Sequence, residues 1–170
     1  MLVSSLMHYV PSKVTVSIMG LVSISGFVDG TFINIIKNNK PFETRRSMDG
    51  EVARIHRKDE RYTVELTLAQ SSMSNNLLMA IYNLDSATGM GTFPLFIKDG
   101  SGTTTFFALE AHVASPPDAS FANGMESRTW EIQCTKAAFN LGGNGEQDSL
   151  ENILSFGSSL LPLLSQFGAF

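Results

Sequence analysis

A chain of 170 residues with 43% hydrophobic content holds enough material for one domain with a proper core plus tails, and its formal net charge is −4. No run approaches the roughly 18 to 20 apolar residues of a membrane helix, and residues 1–10 lack a basic n-region and a cleavage site, so neither membrane insertion nor Sec-type export is expected. The single cysteine, Cys134, excludes an internal disulfide framework and fits synthesis in a reducing compartment.

In chain order, an N-terminal arm over residues 1–12 leads into a domain expected to span 13–140. Val14, Val16 and Ile18 alternate with Thr15 and Ser17, which predicts a strand with one buried and one wet face. Val22 to Ser25 and Thr31 to Ile36 are further strand candidates, separated by the turn at Asp29-Gly30.

The stretch from Phe42 to Arg57 reads as a hairpin without a buried face. Asp49-Gly50 is a strong two-residue turn signal, because a type I′ turn needs positive φ at both central residues. That turn puts Arg46 opposite Ala53 and Arg45 opposite Arg54. Like charges across a strand pair cost stability, and a polar two-stranded ribbon is marginal alone, so the hairpin is expected to find its partner outside its own fold. Eight of the twelve Lys and Arg fall between Lys37 and Arg61 against five acids, leaving four basic and eleven acidic residues elsewhere. One basic projection on an acidic body suits head-to-tail association of identical copies, with a merely solvated face as the bland alternative.

Tyr62, Val64, Leu66 and Leu68 alternate with Thr63, Glu65 and Thr67 in the next strand. Met73, Leu77, Ile81 and Leu84 then share one helical face, with Ser72 or Ser74 as cap and Gly89 near the stop. Strands are predicted at Phe93 to Lys98 and Thr103 to Val113, around the Asp99-Gly-Ser-Gly102 turn, and at Trp130 to Cys134, where Glu131 and Gln133 lie on the wet face. Between the last two, Ser115 to Ser127 is too rich in breakers for a regular element and reads as a long ordered loop. Seven or eight strands with one helix predict a mainly β fold, a sandwich or barrel with a flanking helix, a projecting hairpin and a C-terminal extension over 141–170.

That extension opens on a Gly-rich linker, Leu141 to Gly145, and carries no charge after Glu151. Asp148 and Glu151 resemble a capping box, and Leu150, Ile153, Leu154, Leu161, Leu164 and Phe167 form an apolar stripe broken near Pro162. It is either a helix folded back onto its own domain or an arm docking on a neighbour through Leu161, Leu164 and Phe167.

The residues give catalysis no home and call for no cofactor. His8, His56 and His112 show no metal-ligand spacing, Cys134 alternates with Trp130 and Ile132 as buried filler, and no Lys-Ser or Lys-Thr follows Gly89-Met90-Gly91 as a phosphate loop requires. Asp59-Glu60 sit among Arg57, Lys58 and Arg61 as a solvated mixed-charge loop.

The succession Val22-Ser-Ile-Ser-Gly-Phe-Val-Asp-Gly-Thr-Phe-Ile33, Met48-Asp-Gly-Glu-Val-Ala-Arg54 and Tyr62-Thr-Val-Glu-Leu-Thr-Leu-Ala-Gln-Ser-Ser-Met-Ser-Asn-Asn76 resembles the tail tube proteins of certain contractile-tailed bacteriophages. Phe93-Pro-Leu-Phe-Ile-Lys-Asp-Gly100, Pro116-Pro117 and Arg128-Thr-Trp-Glu-Ile-Gln-Cys134 continue it in order and spacing, so the resemblance covers roughly residues 9 to 137 and leaves the extension unmatched.

The resemblance implies a virion structural protein, not an enzyme. Its copies would form hexameric rings stacked into a hollow tube for genomic DNA, with sheath, baseplate or terminator, and tape measure proteins as partners. In that setting Arg45, Arg46, Arg54 and Arg57 would meet acids of a neighbouring copy, with Asp49 and Glu51 helping to set register. A lumen must not bind phosphate, which favours an acidic or neutral lining and makes Glu65 and Glu131 candidates for it. Two other readings stand beside this one: a nucleic-acid-binding β-barrel using the same arginines on phosphate, and the tube of a phage-like bacteriocin or secretion device.

Overall fold

The computed structural model describes residues 9–143. Nine strands and one helix follow a short 3-10 turn at Pro11–Lys13: β1 (Val14–Ile18), β2 (Val22–Ile24), β3 (Ile33–Lys37), β4 (Phe42–Arg46), β5 (Val52–His56), β6 (Tyr62–Ala69), α1 (Ser74–Thr88), β7 (Phe93–Asp99), β8 (Thr105–Ser115) and β9 (Ser127–Asn140). Seven strands form one antiparallel sheet in the order β2-β1-β7-β8-β9-β6-β3, while β4 and β5 pair only with each other. The fold is therefore mainly β with one helix and a separate hairpin, as the alternation of Val14–Ile18, Tyr62–Leu68 and Trp130–Cys134 predicts.

The sheet is open but rolled. Gly26–Val28, just after the edge strand β2, lies against β6 near the opposite edge: Phe27 bridges Leu68, Val28 N–H donates to Thr67 O at 3.3 Å and Ala69 N–H donates to Gly26 O at 2.8 Å. Gly26 takes φ +78° there, and a Cβ would stand 2.6 Å from the Ser72 side chain, so only glycine fits this seam. Rolling encloses a single core in which Val16, Val64, Leu66, Leu68, Leu95, Phe106, Trp130 and Ile132 are all buried. Tyr62, Phe106 and Phe139 pack edge to face within it.

The helix sits on this core against β8, but on a different face from the one the apolar spacing suggests. Ser74, Asn75, Leu78 and Ile81 are buried, whereas Met73 and Leu84 are exposed. A polar anchor explains the rotation. The Trp130 indole N–H donates to Asn75 Oδ1 at 2.9 Å, while Asn75 Nδ2 donates to the carbonyls of Ala69 and Ser72, so a satisfied amide displaces Met73 from the interior. Ser72 does act at the N-terminus, its Oγ accepting from Ser74 N–H at 3.2 Å. Gly89 closes the helix at φ +69° with its N–H on Asp85 O.

Candidate inter-subunit surfaces

The β4–β5 hairpin projects with every residue of β5 exposed. Its register differs by one residue from the sequence expectation. Arg45 faces Ala53, Arg46 faces Val52 and Thr44 faces Arg54, so the two arginines expected to face each other do not. The loop has three residues, Met48, Asp49 and Gly50: Gly50 N–H donates to Ser47 O at 3.1 Å and Ser47 N–H to Glu51 O at 2.8 Å. Of these only Gly50 has positive φ, at +87°. This is a type I turn followed by a glycine bulge, which spares Asp49 a left-handed backbone costing roughly 1–2 kcal/mol and relieves the Arg45/Arg54 repulsion.

The shifted register sorts the four arginines onto two faces. On one face Glu43 accepts from Arg45 Nε at 3.2 Å and pairs with Arg57 Nη2 at 2.6 Å. The hydrogen bond from Arg45 and the charges of Arg57 and Arg45 hold the Glu43 carboxyl below its usual range. On the other face Arg54 lies over the Phe42 ring, 3.4 Å from its centroid, and Phe42 stacks on His56 at 4.9 Å. Arg46 is its diagonal neighbour there, and neither Arg46 nor Arg54 forms an ion pair among the described residues. Asp49 and Glu51 stand exposed at the tip. At the hairpin's foot Asp59 accepts from Arg61 Nε and Nη2 and from Asn39 Nδ2, and these bonds hold its carboxyl well below the usual carboxylate range.

The outer face of the sheet has two characters. Over β6 and β9 it is polar: Glu65 lies directly opposite Glu131, flanked by Thr63 opposite Gln133 and Thr67 opposite Thr129. Asn34 on β3 donates to Glu65 Oε2 at 3.0 Å, and the Thr67 and Thr129 hydroxyls are hydrogen-bonded at 3.1 Å. Both glutamates, expected only to share the wet side, are thus cross-strand neighbours on one hydroxyl- and acid-lined surface.

Over β7 and β8 the same face is apolar, which the alternation argument overlooks. Phe96 faces Phe107 with ring centroids 6.4 Å apart, both more than a third exposed, and Leu109 projects beside them from a bulge in β8. The signal is present in the sequence as the unbroken apolar runs Leu95-Phe96-Ile97 and Phe106-Phe107-Ala108-Leu109, the mark of strands covered on both faces. Cys134 is buried in the core, where burial pushes its thiol up to about 12 and leaves it inert. Leu161, Leu164 and Phe167 lie outside the described residues.

No protein-family profile matches the chain. Among known proteins it is 31% identical over 145 residues to "Structural protein ORF10" of Pseudomonas phage KPP10, covering 80% of this chain and 83% of that protein. The chain belongs to the family of phage structural proteins that this relative represents.

Its fold is shared with two solved components of contractile injection systems. One is the tube-terminating cap of the anti-feeding prophage, at TM-score 0.52 and 11% identity over 82% of this chain and 99% of that one. The other is the sheath/tube terminator of an extracellular contractile injection system in its extended state, at TM-score 0.50 and 8% identity over 81% and 100%.

Proposed function

We propose that copies of this chain assemble through the β4–β5 hairpin into rings, hexameric by resemblance to tail tube proteins, that stack into the tail tube of a contractile-tailed phage and conduct its DNA. The observation that carries this reading is the hairpin itself. Among the described residues it is paired to no other strand, exposes Met48, Val52 and Ile55, and presents Arg46 and Arg54 without ion-pair partners. Partly desolvated arginine–carboxylate contacts with a neighbouring copy would exceed the small value of surface pairs. Arg45 and Arg57, already held by Glu43, stiffen the ribbon, while Asp49 and Glu51 at its tip help to set register.

The acidic face of β6 and β9 suits the lumen. Glu65 and Glu131 repel phosphate, and a wall that bound it would gain affinity by counterion release and retain the DNA. Sheath, baseplate and tape measure proteins would be the further partners. A second reading has support from the fold: a single ring of this chain that ends the tube, since a tube-terminating cap and a sheath/tube terminator share this architecture. Electron microscopy of Arg46→Glu/Arg54→Glu protein tests the proposal, since the contact requires that polymers disappear while the subunit stays folded. Unchanged polymers would exclude the hairpin contact, and single rings from unmodified protein would favour the terminating ring.

A further inference from the structure

Both ends of the described chain are clasped by one turn. In the β7–β8 turn, Ser101 Oγ accepts from Val10 N–H at 3.1 Å, and Gly100 N–H donates to Lys13 O at 3.0 Å. Two residues further, Thr103 N–H donates to Gly143 O at 3.3 Å, Thr104 Oγ1 donates to Gly142 O at 3.0 Å, and Gly142 N–H donates back to Thr104 Oγ1 at 3.1 Å. The last described residues, Gly142 and Gly143, therefore lie beside Thr103 and Thr104.

Thr104 is also on the rim of a cleft of about 360 Å³ whose walls include Val14, Ile33, Ile35 and Ile97. This is the gap left where the rolled sheet fails to close between β1/β7 and β3. Val14, Ile33 and Ile35 are packed on the core yet only partly buried, and Asp99 is the one charged residue of the lining. A second groove of about 520 Å³ shares Val14 and Phe32 with the first and runs on past Ile24 and Phe27. Among the described residues the core is thus uncovered along a seam that starts where they end, at Gly143.

We propose that the apolar C-terminal segment 148–170 docks into this seam of its own subunit, covering Val14, Ile33 and Ile35. Residues 144–147 reach roughly 13 Å when extended, which spans the step from Gly143 across the rim. No charge follows Glu151, so residues 152–170 bring apolar side chains such as Leu161 and Leu164 to a cleft in which Asp99 is the one charged lining residue. A tether of this length makes docking intramolecular, and at low protein concentration a neighbouring copy cannot compete with the resulting effective concentration. The same placement shields the free edges of β2 and β3 from edge-to-edge pairing. The inference stands independently of whether the copies stack.

The test is cross-linking of the full chain bearing Thr31→Cys and Leu161→Cys with a short bismaleimide, in dilute protein that sediments as single subunits. Thr31 lies exposed on the rim of the cleft, and Cys134, buried with a raised pKa, does not compete for reagent. The expected product is an intramolecular link at monomer mass. Links only between chains, or none, would overturn the inference, as would a Thr31→Cys link to Met7→Cys that excludes the C-terminal one. As a second measurement, Leu161→Asp with Leu164→Asp in the full chain should speed hydrogen exchange of the Ile33–Lys37 amides at least tenfold while circular dichroism stays unchanged. Unaltered exchange would equally overturn it.

Discussion

Glu65 and Glu131 stand directly opposite one another on β6 and β9, two carboxylates side by side on adjacent interior strands of a seven-stranded sheet. Opposed like charges on a strand pair are destabilising, and a neutral partner at either position would avoid the repulsion at no cost in packing. Replacing Glu131 by glutamine should therefore raise stability by a few tenths to about 1 kcal/mol, read as a higher urea midpoint at unchanged slope. In assembled particles the lumen assignment adds a further expectation: Glu65→Lys with Glu131→Lys should make DNA release slow and salt-dependent.

The hairpin arginines divide into two pairs with different expected phenotypes. Arg46→Glu with Arg54→Glu touches no ion pair among the described residues but loses the Arg54–Phe42 contact, so it should cost about 0.5–1 kcal/mol of stability while blocking polymerisation. Arg45→Glu with Arg57→Glu instead surrounds Glu43 with like charge. Amide exchange in β4 and β5 should rise in that variant, with the main sheet unaffected.

Asn75 joins the helix to the core through Trp130. Asn75→Leu removes the acceptor for a buried indole N–H and two donations to the Ala69 and Ser72 carbonyls. The stranded indole alone should cost about 1–3 kcal/mol. Chemical denaturation followed by the fluorescence of Trp130, the one tryptophan, measures it directly.

The loop at the hairpin's foot should resist acid. Asp59 titrates below its ordinary 3.8, chiefly through the hydrogen bonds from Arg61 and then that from Asn39. A depressed carboxyl stabilises the folded state fully above its unfolded pKa and loses that contribution only as the pH falls through the lower folded value. The Asp59 carboxyl carbon resonance should thus hold constant from pH 7 to about pH 4 and move only in more acidic solution.

The inward faces of β1, β6 and the Trp130–Cys134 part of β9 are legible from alternation alone, because a half-buried strand has a period of two and Val14–Ile18, Tyr62–Leu68 and Trp130–Cys134 obey it. The hairpin register was less accessible, since Asp-Gly serves both a two-residue turn and a bulged three-residue loop, and the choice rests on which backbone φ Asp49 adopts. The helix face turned on a single polar anchor, Asn75, whose acceptor role depends on a tryptophan 55 positions away. No local pattern carries that information. The apolar outer strip at Phe96 and Phe107 was written in the sequence but concealed by the assumption of one wet face per strand.

Negative-stain electron microscopy of the purified protein over a concentration series, with sedimentation of the same samples, tests self-assembly most directly. Rings or hollow tubes that appear above a threshold concentration are the expected result. Protein that stays monomeric at every concentration and shifts DNA with a steep salt dependence would contradict it, and would put Arg46 and Arg54 on phosphate rather than on the acids of a neighbouring copy.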